Sequence, residues 1–585
     1  MESVFRIYLI NPSRYDERGY PIHWWRSTQP SNSLACVAGL FEDCVRRQVL
    51  GSNVAITIES IDEANRRVSP EKIVREIAAS GGRGFIGFVG VQSNQFPRAL
   101  DLSRKFRMLG VPVCIGGFHV SGVYSMLKQP TPEIKDALSI GVSLFLGEGE
   151  EGRLDEVLRD AYAGELKPVY DYLNALPNLA GAPAPFLSKD VVKRTLLSIS
   201  SFDAGRGCPF QCSFCTIINV QGRKSRYRSG ADIEMILRSN IAQGITRFFV
   251  TDDNLARNKN WEELFNTSAR VMSETGTRLQ LAIQVDTLCH HIPGFIEKAA
   301  KAGVRLVFIG LENINPDNLI AAKKKQNRIT DYRDMLIAWK KYSVMIAAGY
   351  IVGFPNDTRE SLINDVEIVK RELPIDFLFF NYLTPLPGSE DHKKLVDEGV
   401  WMDPDLNKYN LLNVVTKHPR MSDEDAKRTY SELWERYYSH EHMVTVLRRA
   451  QVIGKGNSWR TVMFFTAISI YSCGYFKDYR MEWGLLPRRS RKERRPGLPL
   501  ENPLMFYPRA VFDTVFFGIL FGARFAHLRF ELWRIRRDPH RGNYRDIAIT
   551  APDSREFQDH ALYTETRGAE VAVAKARARS RVEVA

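Results

Sequence analysis

The chain reads as an α/β protein in three parts. A Rossmann-like parallel sheet occupies the first 165 residues, six further βα units follow in the middle, and a helical region lies towards the C-terminus. Three observations carry this reading. Short runs rich in Val, Ile and Leu alternate with segments of helical periodicity up to residue 382, the rhythm of parallel strands joined by helical crossovers. A Pro/Ala/Gly-rich stretch, Leu176-Pro177-Asn178 and Gly181-Ala182-Pro183-Ala184-Pro185, interrupts that rhythm once. Beyond residue 420 helical periodicity dominates and positive charge gathers, with fourteen Lys/Arg against six Asp/Glu between 487 and 546. The expected units are a first domain at 1–165, a linker at 166–193, a core at 194–420, a basic helical region at 421–550 and a disordered tail at 551–585.

Composition narrows the class. With 44% hydrophobic and 25% charged residues, 585 residues suffice for several cores. Eight cysteines are few for this length, and Cys36, Cys44, Cys114, Cys289 and Cys473 are scattered, which fits a reducing compartment better than a disulfide framework. Residues 1–10 carry charge too early for a signal peptide and read as a strand, so the expected location is cytoplasmic. The net charge of +13 comes without a nucleic-acid fold signature, so no nucleic-acid partner is expected.

In chain order, the first part should hold strands at 4–11, 54–58, 84–91, 111–115 and 143–146, with helices at 31–47, 70–79 and 99–108. Ligands of such sheets bind at the C-terminal strand ends. The turns there are Gln92-Ser93, Gly116-Gly117-Phe118-His119-Val120-Ser121 and Gly147-Glu148. Bare backbone at Gly116 and Gly117 permits close approach of a planar or phosphate-bearing ligand.

The middle part should open with a strand at 196–202. Strands at 247–251, 280–285, 306–309, 347–351 and 377–382 then alternate with helices at 232–243, 261–274, 294–302, 332–342 and 359–371. Polar groups recur where these strands end: Asp252-Asp253-Asn254, Gln284 and Asp286, Glu312, and the turn Gly353-Phe354-Pro355. The basic loop at 223–229 is either a solvated face or a complement to substrate or to the neighbouring domain.

Between the first two middle strands stands Gly205-Arg206-Gly207-Cys208-Pro209-Phe210-Gln211-Cys212-Ser213-Phe214-Cys215. Three thiols spaced C-x3-C-x2-C can converge on a soft metal centre. A structural zinc site would supply four ligands, and this stretch has three with no adjacent His. A cubane iron–sulfur cluster on Cys208, Cys212 and Cys215 would keep one iron open.

This motif, with an aromatic residue before its last Cys, resembles that of radical S-adenosylmethionine (SAM) enzymes. The resemblance implies a partial (β/α)6 barrel, a [4Fe-4S] cluster, and SAM chelated at the open iron and cleaved by one-electron reduction to a 5′-deoxyadenosyl radical. It also implies an electron donor such as flavodoxin or ferredoxin. On the same basis Phe214, Asp252, Asp253, Asn254, Gln284, Asp286, Glu312, Gly353 and Pro355 would hold SAM. The turn Thr384-Pro385-Leu386-Pro387-Gly388-Ser389 matches the family's turn after the last strand. The preceding order of Gly-rich turns resembles the cobalamin-binding domain found ahead of many radical SAM cores, the subclass of hopanoid methylases and of the anaerobic magnesium-protoporphyrin ester cyclase. Gln92, Ser93, Gly116, Gly117, His119, Ser121, Gly147 and Glu148 would then face cobalamin. The D-x-H-x-x-G motif that places a His on cobalt elsewhere is absent, and His119 reads as a backbone anchor or cofactor-edge residue.

In the last third a helix is expected at 423–450. Within it Ser439-His440-Glu441-His442 reads as surface or packing, because imidazoles two residues apart lie on different helix faces. The uncharged stretches at 461–476 and 514–523 are short for a bilayer span of about twenty residues and read as buried or interfacial helices. Arg clusters flank the second, which fits an anionic membrane surface as partner and a peripheral position on the inner membrane face. The favoured activity is cobalamin-dependent C-methylation of a hydrophobic or lipid-like small molecule. The alternatives are a radical SAM cyclase or oxidoreductase without methyl transfer, and a non-catalytic metal-binding, membrane-associated protein. No catalytic acid or base is singled out.

Overall fold

A computed structural model describes residues 3–453, 459–472, 476, 480, 484–551 and 555–584. The expected alternation folds into two six-stranded parallel sheets. In the first, β1 (Ser3–Asn11), β2 (Val54–Asp62), β3 (Arg83–Phe88), β4 (Val113–Gly116), β5 (Ser143–Leu146) and β6 (Val169–Asp171) lie in the order β2-β1-β3-β4-β5-β6. Side chains of β1 alternate between two cores, Phe5, Ile7 and Leu9 on one face and Tyr8 and Ile10 on the other. That double burial explains why these strands read as continuous apolar runs. The order reverses at β1 and β3, which opens a crevice beyond their C-terminal ends.

The second sheet runs β12-β11-β10-β9-β8-β7. Its strands are β7 (Ser200–Asp203), β8 (Arg247–Thr251), β9 (Gln280–Val285), β10 (Val304–Glu312), β11 (Met345–Val352) and β12 (Phe377–Tyr382), all parallel and in sequence order. Among the described residues no pairing joins β7 to β12, so this is an open, partial (β/α)6 barrel. Local chemistry starts its helices where expected. Ser229 and Thr358 each form a reciprocal capping box, with Asp232 and Ser361 respectively.

Several expectations need correction. The run at 166–193 is not only a linker, since Val169–Asp171 adds a sixth strand on β5. The strand expected at 196–202 begins at Ser200, because Leu197 and Ser198 adopt φ of 66° and 51° in a preceding turn. The single helix expected at 423–450 is two, Asp423–Tyr437 and His440–Ile453, with the Ser439 hydroxyl accepting from His442 N at 3.4 Å to start the second. Strand His23–Ser27 pairs antiparallel with Gly484–Arg488, which carries the C-terminal region back onto the first sheet.

The tail expected to be disordered folds in its described part. Ala561–Thr564 and Ala569–Val584 are helical, and Ala561 N and Leu562 N donate to the buried Glu372 carboxylate at 3.0 and 2.9 Å. Its Ala/Arg-rich composition concealed that anchor and the buried Leu562 and Tyr563 beside it. The second apolar stretch belongs to one long helix, Pro503–Arg537, which is long and apolar enough to cross a membrane. Phe506, Asp513, Phe517, Leu528, Leu532 and Ile535 on it are nevertheless buried against the protein, and Asp513 pairs with Arg489 at 2.6 Å. Leu504, Tyr507, Val511, Val515 and Ile519 form an exposed apolar stripe on the rest. Cys473 lies outside the described residues.

Candidate active site

The three-cysteine loop leaves β7 through Gly205-Arg206 and turns at Gly207, whose φ is 91°. A Cβ there would stand 2.5 Å from the Lys224 carbonyl oxygen, so only glycine fits. Cys208 N donates to Gly222 O (3.2 Å), Cys215 N to Cys212 O (3.1 Å) and Ser213 N to Ala322 O (3.1 Å), which closes the loop against the barrel rim. All three thiols are free, and Cys212 is the most buried at 7%. Burial pushes the Cys208 thiol up to about 11 and that of Cys215 up to about 12, so metal binding here must expel protons.

Of the residues assigned to SAM, several surround this loop. Asp253 accepts from Gly207 N at 2.5 Å, and burial, against that hydrogen bond, pushes its carboxyl up to about 6. Asp252 and Asn254 instead brace the turn from inside. Asp252 accepts from Asn258 Nδ2 (2.8 Å) and Asn254 N (2.9 Å), and Asn254 Nδ2 donates to Asp286 (2.8 Å). Asp286 also takes a two-pronged contact from Arg257 at 2.5 and 2.8 Å, so its carboxylate is already committed. Gln284 stands half-buried on β9 beside Phe308 of β10. Glu312 follows a register shift in β10 at φ 65° and pairs with Lys324.

Gly353 turns at φ 93°, with its amide and that of Phe354 donating to Asp357 at 2.8 and 2.9 Å. Gly353, Phe354 and the exposed Pro355 line a cavity with Tyr382, Leu383, Met421 and Tyr430.

The sequence reading missed Lys324. Its ammonium pairs with Glu312 and lies 5.7 Å from the Phe214 ring, near Cys212 and Cys215. It is the middle of Lys323-Lys324-Lys325, which by pattern alone is a solvated run. Gln326 Nε2 lies 3.5 Å from Cys212 Sγ and was missed for the same reason.

The crevice at the switch point of the first sheet faces this loop. It is lined by Gly116, Gly117, Ser121, Gly147 and Glu148 from the first unit and by Arg206, Val220 and Gln221 from the cysteine segment. Gly117, at φ 147°, has no room for a Cβ, which would meet Val91 N at 2.1 Å. The Ser121 hydroxyl accepts from Gly147 N at 3.1 Å. Gln92, Ser93 and His119 do not line it. The buried His119 ring packs 4.4 Å from Phe96, its Nδ1 meets the Ser93 hydroxyl at 3.1 Å, and its backbone N donates to Val91 O, so it is an anchor. Asn32, Ser33, Cys36 and Leu40 of helix Asn32–Arg46 also line it. That amphipathic spacing gave no sign of a ligand-facing side.

An ionic bridge ties crevice to barrel. Glu148 accepts from Arg206 Nη1 (2.6 Å) and Arg226 Nη2 (2.6 Å), while Arg228 reaches Asp203 at 3.0 Å. The basic loop therefore complements the neighbouring domain. Gly388 of the turn after β12 abuts Gly122, where a Cβ on either would stand within 3.0 Å of the other's Cα.

Residues 203–369 match the Radical SAM superfamily. The chain is 28% identical over 371 residues to bacteriochlorophyllide d C-12(1)-methyltransferase of Chlorobaculum tepidum, covering 62% of this chain and 75% of that protein. It is 25% identical over 329 residues to hopanoid C-2 methylase of Rhodopseudomonas palustris, covering 56% and 60%. The radical S-adenosylmethionine methyltransferase TsrM of Kitasatospora setae, solved with cobalamin and a [4Fe-4S] cluster, shares the fold at a TM-score of 0.53 and 16% identity, over 74% of this chain and 89% of that one. Residues 203–369, with the three-thiol loop at their start, are thus a radical SAM domain.

Proposed function

We propose that this protein is a cobalamin-dependent radical SAM C-methyltransferase acting on a hydrophobic, lipid-like or polycyclic small molecule. The carrying observation is the shared wall. Gly116, Gly117 and Glu148 of the first sheet face the same crevice as Arg206, Val220 and Gln221 of the cysteine segment, so a ligand of the first sheet would sit beside the thiol loop. The donor set fits both cofactors. Three free thiols on one loop suit three irons of a cubane cluster. Asn32 Oδ1 and Glu150 Oε2, on residues that line the crevice, are buried without hydrogen-bond partners among the described residues, and such acceptors suit the amide groups around a corrin ring. At ≈ 170 Å³ the crevice takes the edge of such a macrocycle rather than the whole, so binding must part its walls.

When bound, the cluster and SAM supply homolytic chemistry and cobalamin supplies a methyl group. The chain's part is positioning. Asp253 and Glu312 offer carboxylates and Lys324 an ammonium around the open side of the thiol loop, complementary to the amino and carboxylate ends of an amino acid. Backbone at Gly353 and Phe354 is held by Asp357, leaving the Phe354–Pro355 edge to a flat ligand. The hydrophobic substrate class rests on the two curated relatives, whose names give a bacteriochlorophyllide and a hopanoid. A reducing partner such as flavodoxin or ferredoxin is required by the same chemistry.

The test is cofactor content and turnover. Anaerobically reconstituted protein should hold about four irons and one corrinoid per chain and form 5′-deoxyadenosine from SAM under reduction. Deoxyadenosine without corrinoid uptake would replace this reading with a cyclase or oxidoreductase. Neither would leave a metal-binding protein without this catalysis.

The exposed stripe of Pro503–Arg537, flanked by Arg509, Arg524, Arg529, Arg536 and Arg537, supports attachment to an anionic membrane surface, where a lipid-like substrate would reside. Val511→Glu/Val515→Glu/Ile519→Glu should lower co-sedimentation with phosphatidylglycerol vesicles at least about tenfold. Unchanged sedimentation would refute the attachment.

A further inference from the structure

The motif Ser439-His440-Glu441-His442 offers no ligand pair of its own, because its imidazoles diverge. His442 is buried against Tyr437, with ring centroids 4.7 Å apart, while His440 meets the long helix. There it finds His527 and Glu531, which stand one turn apart on Pro503–Arg537. The donor atoms of the three all lie within 4.8 Å of one another. The His440 and His527 rings stack at 4.4 Å and 21°, and His527 Nε2 is 4.0 Å from Glu531 Oε1. Among the described residues His440 Nδ1 is buried with no hydrogen-bond partner, an uncompensated cost for a protein without a ligand here.

We propose that His440, His527 and Glu531 form a second metal site, for a divalent first-row transition cation and in particular Zn²⁺, which pins the long helix to the body of the protein. Two imidazoles and one carboxylate are a ligand set that zinc accepts, with water completing a tetrahedron. Metal–nitrogen bonds of about 2.0–2.1 Å place tetrahedral donors roughly 3.3 Å apart, so rotations of about an ångström close the site. His527 is 48% exposed, which leaves an entry path and room for the water. Arg534, which contacts Glu531 at 3.2 Å, would have to yield to the ion. The site is separate from the thiol loop and independent of the proposed methyl transfer.

The experiment uses the full chain with its cluster loaded, because the bare thiols would themselves take zinc. After equilibrium dialysis with ZnCl₂ and a weak competing chelator, wild-type protein should retain one Zn²⁺ per chain. His527→Ala and Glu531→Gln should bind it at least about tenfold more weakly. Zinc should raise the melting temperature of wild type and leave both variants unmoved. Glu531→Gln preserves size and packing, so the comparison survives if His527→Ala folds poorly. Equal zinc retention in wild type and Glu531→Gln, or a melting shift shared by both, would overturn the proposal.

Discussion

Cys212→Ala is expected to bring bound iron from about four per chain to near zero and to abolish reductive cleavage of SAM. Cys212 is the most buried of the three thiols, lies against Gln326 and stands next to Lys324. The substitution removes one sulfur from a loop whose backbone contacts to Gly222 and Ala322 do not use that side chain, so the fold should persist. Iron content and 5′-deoxyadenosine formation under anaerobic reduction measure the outcome, with the melting temperature as control. Undiminished deoxyadenosine from the variant would refute the assignment of the loop as the cluster site.

Gly116→Val is expected to lower corrinoid uptake at least about tenfold, equivalent to about 1.4 kcal/mol, while leaving iron content and deoxyadenosine formation intact. Gly116 lines the crevice, and a Cβ there meets Phe145 no closer than 3.4 Å, so the backbone tolerates a side chain. The added methyl groups would occupy space between β4 and Phe145 that the crevice now holds. Gly117→Val would be a poor probe, since its Cβ would stand 2.1 Å from Val91 N and the turn itself would fail. Titration with hydroxocobalamin reads the effect. Uptake equal to wild type would mean that this crevice is not the corrinoid site.

Much of the architecture could be read from hydrophobic rhythm alone. β8, β9 and β12 have the bounds their apolar runs implied, because none of their residues is exposed. Where the rhythm was weak the reading failed: the three-residue β6 inside a Pro-rich stretch, the His23–Ser27 strand whose partner lies more than 450 residues away, and the anchored tail. Length of burial, not composition, made the difference.

The site divides along a different line. A spacing of three thiols, a glycine forced by a positive φ and the acidic turn after β8 are local properties, and the chain alone determined them. Which acidic groups remain open was decided by tertiary contacts. Asp286 is consumed by Arg257 and Asn254 while Asp253 faces the loop, although all are carboxylates or their partners at strand ends. Packing likewise selected Lys324 from three consecutive lysines and joined His440 to His527 and Glu531 across two helices. Short-range spacing sets what a segment can bind, whereas a side chain's partners depend on which distant elements the fold packs against it, and no local pattern carries that distance.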